Sequence, residues 1–490
     1  MNLYDREIVR GYESIKRRAT EACHNGDVSK SIYWVEKASR VANQLNWKYN
    51  DEQLNSLMDK LSEQLNLPME ESYHAKENRV VFFDQYGKFF ILALQYIRAL
   101  SAAGYDILYI LSDYVPANPA TFIVDDLKKM PNLTVEVIPL EWSYQQRVRK
   151  IYDLTMDFAP AKVFLHVKMF SAYNLVLPAL PKEITSYYID LQDHALWIRN
   201  NQLNYVLPYR DWGATIDIEK RGFRPEQVLK MPYYPIVTKA EFQGFPAETE
   251  GKVVVFTGGE YYKTVDWDNS YWRLVIQLLL DNPSAVVLYA GKGDADNRDK
   301  AIRELAGGQN LAKRLIPIGF RTDINEVFAH CDIYMGTSPM SGGLMCQYAA
   351  FNSKPILQYY RPDMAANNET EQVLDYNGKL NVSFTESKAF LAEARKLIDS
   401  EAYRLARGKE LHDCLITKEQ FDILLKQTID SNQTQVVITM QHIDYDAFTR
   451  WWFYLEEKGI SNCRGYLLSL LKRRKYLVMP MSAMHKWLKT

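Results

Sequence analysis

The sequence predicts an α/β protein of two tandem Rossmann-like domains behind an all-helical N-terminal segment. Three observations predict it. Short apolar runs alternate with helix-length segments in two separate arrays, one starting at Asn78 and one at Lys252. Such alternation makes a parallel sheet with crossover helices. A stretch with three prolines, PYYPIVTKAEFQGFPAETEG (residues 232–251), separates the arrays as a linker would. The chain's 490 residues, 47% of them apolar, suffice for two or three ordinary cores.

Residues 1–75 carry helical patterns only. In GYESIKRRATEACHNGDVSKSIYWVEKASRVANQL, apolar and small residues recur at three- and four-residue spacing around a Gly26–Asp27 turn. The HNGDVSKSIYWVEKASRVA piece is similar to one tetratricopeptide-like hairpin; a plain helical cap on the next domain fits as well. The first array (residues 76–235) opens with the strand NRVVFFD, a turn at Gln85–Gly87, the helix KFFILALQYIRALSAAG and the strand YDILYIL. Strands LTVEVIPL, AKVFLHV and TSYYID follow. The second array (residues 236–436) runs KVVVFTGG, helix, AVVLYAG, helix, RLIPIGF, helix, CDIYMGT, helix and KPILQYY. Residues 437–490 form a helical, basic tail whose last 27 residues hold seven Lys or Arg and no acid. Such a tail lies on an anionic membrane face or folds back with a solvated basic side.

A net charge of −1 gives no basic field for nucleic acid. Cys23, Cys331, Cys346, Cys414 and Cys463 are scattered and form no CxxC, which suits a reducing cytosol and argues against structural zinc. The start lacks a signal-peptide pattern, and the apolar run FFILALQYIRAL is interrupted at Arg98. The expected setting is cytoplasmic, with peripheral contact at the inner membrane face left open by the tail.

Chemistry concentrates at strand ends of the second array. In GTSPMSGGLMCQYAAFNSKP (residues 336–355), a strand gives way to a helix near Gly343 through Ser338, Ser341 and Gly342. Helix N-termini attract anions, and glycine lets a phosphate approach the backbone. FTGGEYYK (residues 256–263) supplies a second small loop, Thr257–Gly258–Gly259, followed by Lys263. GFRTD adds Arg321 at a third strand end, where it faces a ribose or phosphate or simply solvent. GxGxxG and GxxxxGK[ST] are both missing, which disfavours dinucleotide redox chemistry and P-loop hydrolysis.

These motifs resemble those of the GT-B glycosyltransferases, and among them O-linked N-acetylglucosamine transferase and the bacterial cytoplasmic protein glycosyltransferases similar to it. The family's strand, loop and Tyr-Lys pair fall on VVVFTGGEYYKTV, with Tyr262 and Lys263; its next basic loop residue falls on Arg321; its Thr-Pro strand, Gly loop and helix fall on DIYMGTSPMSGGLMCQYAAFNSKPI. The motifs cover residues 250–360. The family's His-Thr-Thr at the helix start is replaced by Gly343, Leu344 and Met345, which leaves backbone contacts only, and a tetratricopeptide array is missing. The two glutamates of another GT-B pattern would fall on Met340 and Tyr348.

The resemblance implies a hexosyltransferase using a nucleotide sugar, UDP-linked as in the resembling enzymes, and a glycan or protein acceptor. Gly258, Gly259, Lys263, Ser341, Gly342, Gly343 and Leu344 would hold the diphosphate, and Thr257, Arg321 and Ser338 the nucleotide. No metal or other cofactor is expected, because helix dipole and basic side chains carry the leaving-group charge. In the first array, IDLQDHALWIRN places Asp193 and His194 after a strand as candidate bases for an inverting displacement, His166 being the alternative histidine. The acceptor would approach Gly87. Two other roles remain open: a non-catalytic, acceptor-binding partner subunit, and a nucleotide-sugar epimerase.

Overall fold

A computed structural model describes residues 3–68, 72–87, 91–114, 127–237, 239–291, 295–307, 311, 313–363, 369–374 and 380–461. Helices α1 (Leu3–His24), α2 (Val28–Leu45) and α3 (Glu52–Gln64) come first. Their ends follow capping chemistry. The Asp27 carboxylate accepts from the Lys30 amide, and the Asp51 carboxylate from those of Gln53 and Leu54. α2 buries Val28, Ile32, Val35, Ala38, Ala42 and Leu45 along one stripe.

The first sheet follows: β1 (Lys76–Asp84), α4 (Ile91–Ala102), β2 (Asp106–Tyr114), β3 (Leu133–Pro139), α5 (Tyr144–Phe158), β4 (Pro160–His166), the short α6 (Tyr173–Val176), β5 (Thr185–Asp190), β6 (Tyr205–Pro208) and α7 (Asp211–Glu219). All pairings are parallel, in the order β3-β2-β1-β4-β5-β6. The apolar side of α1–α3 shares one core with this sheet and α5. The helical segment is therefore part of the sheet's covering layer.

The second sheet comprises β7 (Val253–Gly258), α8 (Ser270–Asp281), β8 (Ala285–Ala290), α9 (Ala295–Ala306), β9 (Leu315–Gly319), α10 (Ile324–His330), β10 (Ile333–Met335), α11 (Gly343–Phe351), β11 (Ile356–Tyr359), α12 (Glu369–Leu374) and β12 (Ser383–Phe384). It too is parallel, ordered β12-β11-β10-β7-β8-β9. Both orders are the doubly wound one, with the switch between β1 and β4 and between β10 and β7. α13 (Ser387–Asp399), α14 (Glu401–Asp413), α15 (Lys418–Ser431) and α16 (Tyr445–Ser461) complete the described chain.

The chain forms two compact units. Of the described residues, one unit holds those up to Met231, Lys418–Met440 and 456–461; the other holds those within Pro232–Thr417 and Gln441–Leu455. α15 thus returns to the first unit. Phe421 meets Tyr96 of α4 edge-on at 5.3 Å, and the Tyr187 hydroxyl donates to Asn432. In the second unit, Trp451 of α16 donates to the Val265 carbonyl at 2.8 Å and Tyr454 to that of Asp266 at 3.1 Å. Among the described residues no helix is long and apolar enough to cross a membrane. The basic stretch 464–490 and Cys463 lie outside the described residues.

Gly408 makes a testable point about packing. An alanine in an exposed helix normally stabilises by about 1 kcal/mol over glycine. In α14, a Cβ on Gly408 would stand 1.8 Å from the Ser353 carbonyl oxygen. Gly408→Ala is expected to destabilise the second unit by about 1–3 kcal/mol in urea unfolding; a stabilised variant would contradict this packing.

Candidate active site

A parallel sheet covered on both faces leaves its strand ends as the place for polar groups. At the carboxyl end of the second sheet three loops touch backbone to backbone. The Gly259 amide donates to the Ala290 carbonyl at 3.1 Å, and the Gly291 amide to that of Gly319 at 3.0 Å. A Cβ on Gly291 would lie 1.8 Å from the Gly259 oxygen, so this approach requires glycine. Lys263 sits in a 3-10 turn, Tyr261–Thr264, short of α8. Its ammonium donates to the Ser341 carbonyl at 3.0 Å, and its own carbonyl accepts from the Met340 amide at 3.3 Å. Thus the turn that carries Lys263 and the loop that carries Ser341 are in contact.

α11 begins at Gly343 behind Gly342, and no side chain caps it. The N-cap is a glycine, so no N-cap side chain serves the first-turn amides. Ser341 is buried and accepts from the Tyr360 hydroxyl at 3.4 Å. Ser338 is fully buried, and its hydroxyl has no partner among the described residues. Leu344 is exposed. Gln358, which the sequence did not single out, supports the loop from below by donating to the Thr337 carbonyl at 3.0 Å. A lone glutamine within the apolar strand KPILQYY was the available signal.

Two expected side chains are engaged elsewhere. The Thr257 hydroxyl is buried against Tyr271 of α8 at 2.5 Å, turned to the helix. Arg321 pairs with Asp323, donates to the Gly244 carbonyl at 2.9 Å and lies over Phe242 and Phe245. Hydrogen bonds from Arg321 outweigh burial and lower the Asp323 carboxyl to about 2. Arg321 thus holds the linker.

The first unit assembles its own cluster. Asp84, at the end of β1, accepts from the amides of Tyr86 and Gly87, from the Tyr109 hydroxyl at 2.6 Å, and faces His166 Nδ1 at 3.0 Å. His166 is fully buried. Gly87, with φ of 59°, turns the chain there. His194 is the more open histidine, its side chain 27% exposed, with Nδ1 3.5 Å from Asp193. Asp193 is fully buried and bonded twice by Arg210, at 2.5 and 3.0 Å. Burial works to raise this carboxyl, but Arg210 and His194 prevail and hold it well below the usual range. Below it, Arg221 joins Asp190 at 2.9 Å and Asp217 at 2.8 Å. Burial raises Asp190 to about 6 against the pull of Arg221. Burial and the neighbouring Asp190 charge push Asp217 well above the ordinary carboxylate range, and its Oδ2 has no partner among the described residues. Neither arginine was picked out from the sequence, where each looks like a surface residue after a strand or helix.

Among the described residues, no group of three His, Cys, Asp or Glu side chains is arranged to hold a metal ion. No protein-family model and no curated protein matches the chain. Solved structures do. A mutant O-GlcNAc transferase of Thermobaculum terrenum is similar over 86% of this chain and 84% of its own, with a TM-score of 0.54 at 15% identity. Anabaena Alr3699/HepE, in complex with UDP and glucose, covers 72% of this chain and 99% of its own, with a TM-score of 0.51 at 16% identity. A glycosyltransferase of Rickettsia africae covers 73% and 98%, with a TM-score of 0.52 at 10% identity. At such identities the likeness is one of fold, and the fold is GT-B, as the resemblance implied.

The buried carboxylates set a pH dependence. Asp217 keeps its proton in the folded state where the unfolded chain has released it, from about pH 4 upward. Its contribution therefore falls as pH rises through that window. Asp217→Asn removes this loss, so the variant's melting temperature relative to wild type is expected to climb between pH 5 and 8; a constant difference would place no proton on Asp217.

Proposed function

We propose that the protein is a glycosyltransferase of the hexosyl type, moving a sugar from a UDP-linked donor to a saccharide or protein acceptor in the cytoplasm. The observation that carries this is the Lys263 ammonium held at the Ser341 carbonyl beside the uncapped start of α11. A cation, free helix-turn amides and two glycine loops make a cradle for a diphosphate. The solved structures of similar fold support the choice of ligand, since that of Anabaena HepE holds UDP and glucose.

In this reading the sugar leaves a diphosphate on which negative charge grows. Lys263 and the amides of Gly343 and Leu344 meet that charge, with Gly258, Gly259 and Gly342 allowing the approach and the Ser338 and Ser341 hydroxyls lining it. Positive charge from these groups makes the reaction metal-independent. His194 takes the proton from the acceptor hydroxyl in a single inverting displacement. Asp193, kept ionised by Arg210, orients the imidazole rather than acting as base. Gly87, held by Asp84, marks the acceptor side.

A second reading has one observation in its favour. The first turn of α11 carries Gly343, Leu344 and Met345, none of which offers a side-chain donor, as suits a non-catalytic acceptor-binding subunit. Thermal unfolding with millimolar UDP separates the two. Ligand at about 100 times its dissociation constant adds roughly 2.7 kcal/mol, so wild type is expected to melt higher with UDP and Lys263→Ala to lose most of that rise. An unshifted wild type would favour the partner subunit. His194→Ala is expected to keep the UDP shift while donor turnover drops by about 10²–10⁴-fold; unchanged turnover would remove His194 from the chemistry.

A further inference from the structure

Resting on the role given to His194, we propose that Arg221 is a positioning residue, whose guanidinium fixes the turn that carries this histidine. The geometry is specific. Nη2 of Arg221 donates to three carbonyls of one turn, those of Gln192 at 3.2 Å, Asp193 at 3.1 Å and Ala195 at 2.7 Å. These residues flank His194 on both sides. Nη1 donates to Asp190, at the end of β5, and to Asp217, on α7. The same group lies 4.9 Å from the ring centre of Trp197, which stacks on Tyr188 at 3.9 Å.

Arg221 thus joins a strand end, a helix and a turn through one rigid plane. Only a guanidinium has enough donors in a fixed fork for this, since an ammonium has three and no plane. The turn is held from its other side as well. Asn43 of α2 donates to the Gln192 side chain at 3.0 Å and to the Leu196 carbonyl at 2.9 Å. Gly213 of α7 leaves no room to slide, because a Cβ there would come within 2.9 Å of the Asp193 Cβ. A buried anchor beneath a partly open imidazole is the arrangement expected where direction matters. Displacement of a reacting group by about 1 Å can lower a rate 10²-fold.

The test uses the full chain labelled with ¹⁵N-histidine, with the His194 imidazole signal assigned by its loss in His194→Gln. Arg221→Lys keeps the charge and loses the fork. The expected result is a shifted or broadened His194 signal with the His166 signal unchanged, because His166 is fixed by Asp84. With a nucleotide-sugar donor, kcat is expected to fall by roughly 10²-fold with KM for the donor little changed. An unmoved His194 signal in a folded Arg221→Lys protein overturns the proposal, as does an unchanged kcat in an active enzyme. Loss of the His166 signal would mean a lost fold. Asp190→Ala, which removes one anchor of the same guanidinium, is then read in the same way, and an unmoved His194 there also overturns it. Should wild type turn over no nucleotide sugar, the functional reading fails, while the imidazole signals still decide whether Arg221 holds the turn.

Discussion

Each sheet of this protein is parallel and covered on both faces, which forces polar groups to the strand ends. Val80–Phe83 in β1 and Val254–Phe256 in β7 are buried, and a charge within them would be left unsolvated. The chain meets this constraint differently in its two units. In the second, the strand ends are nearly bare: glycines bring backbone against backbone, and Lys263 reaches the Ser341 carbonyl. In the first, they carry Asp84, His166 and Asp190, each held by a named partner.

Buried charge in the first unit is stabilised by arrangement more than by attraction alone. Asp190, Asp193 and Asp217 face Arg210 and Arg221, three carboxylates against two guanidiniums. Desolvating ions is expensive unless every lone pair and proton is matched. Arg221 makes five hydrogen bonds, all from Nη1 and Nη2, while its Nε has no partner among the described residues, and Asp193 takes two from Arg210. The surplus negative charge falls on Asp217, whose Oδ2 has no partner among the described residues and whose carboxyl is pushed upward by burial. A proton there leaves the cluster neutral. Such a network gains little stability over an apolar core, but it admits one geometry for the His194 turn.

The alternation of strands and helices was legible in the sequence because buried parallel strands are continuous apolar runs, as in VVFF and AVVLYA. The start of α11 was legible from Gly342–Gly343, and the meeting of its loop with Lys263 followed from parallel topology. Partner choice was not. Arg321 stands at a strand end, as an anion-binding residue would, yet Asp323 two residues later and Phe242 and Phe245 in the linker claim it. The hydroxyl of Thr257 belongs to Tyr271, a pairing that no spacing rule announces. α15 shows an amphipathic pattern that says which face is buried but not against which sheet; its Phe421 goes to Tyr96 of the first. Arg210 and Arg221 were missed because charged residues are rarely buried without partners, and partners distant in sequence are invisible to local pattern.

The contrast between the two strand-end clusters follows from what each would have to do in the proposed reaction. A diphosphate is large and anionic and must come close to backbone amides, so side chains would obstruct it. Glycine loops, an uncapped helix start and one flexible lysine suit that ligand. A proton acceptor has the opposite need. Its reactive nitrogen is a single point, and its use depends on direction, so every group behind it must be fixed. Arg210 fixes the carboxylate beside His194, Arg221 fixes the turn, and Asn43 closes the turn's other side. Because Asn43 belongs to α2, the N-terminal helices do more than cover the sheet: through one amide they share in fixing the direction of the histidine.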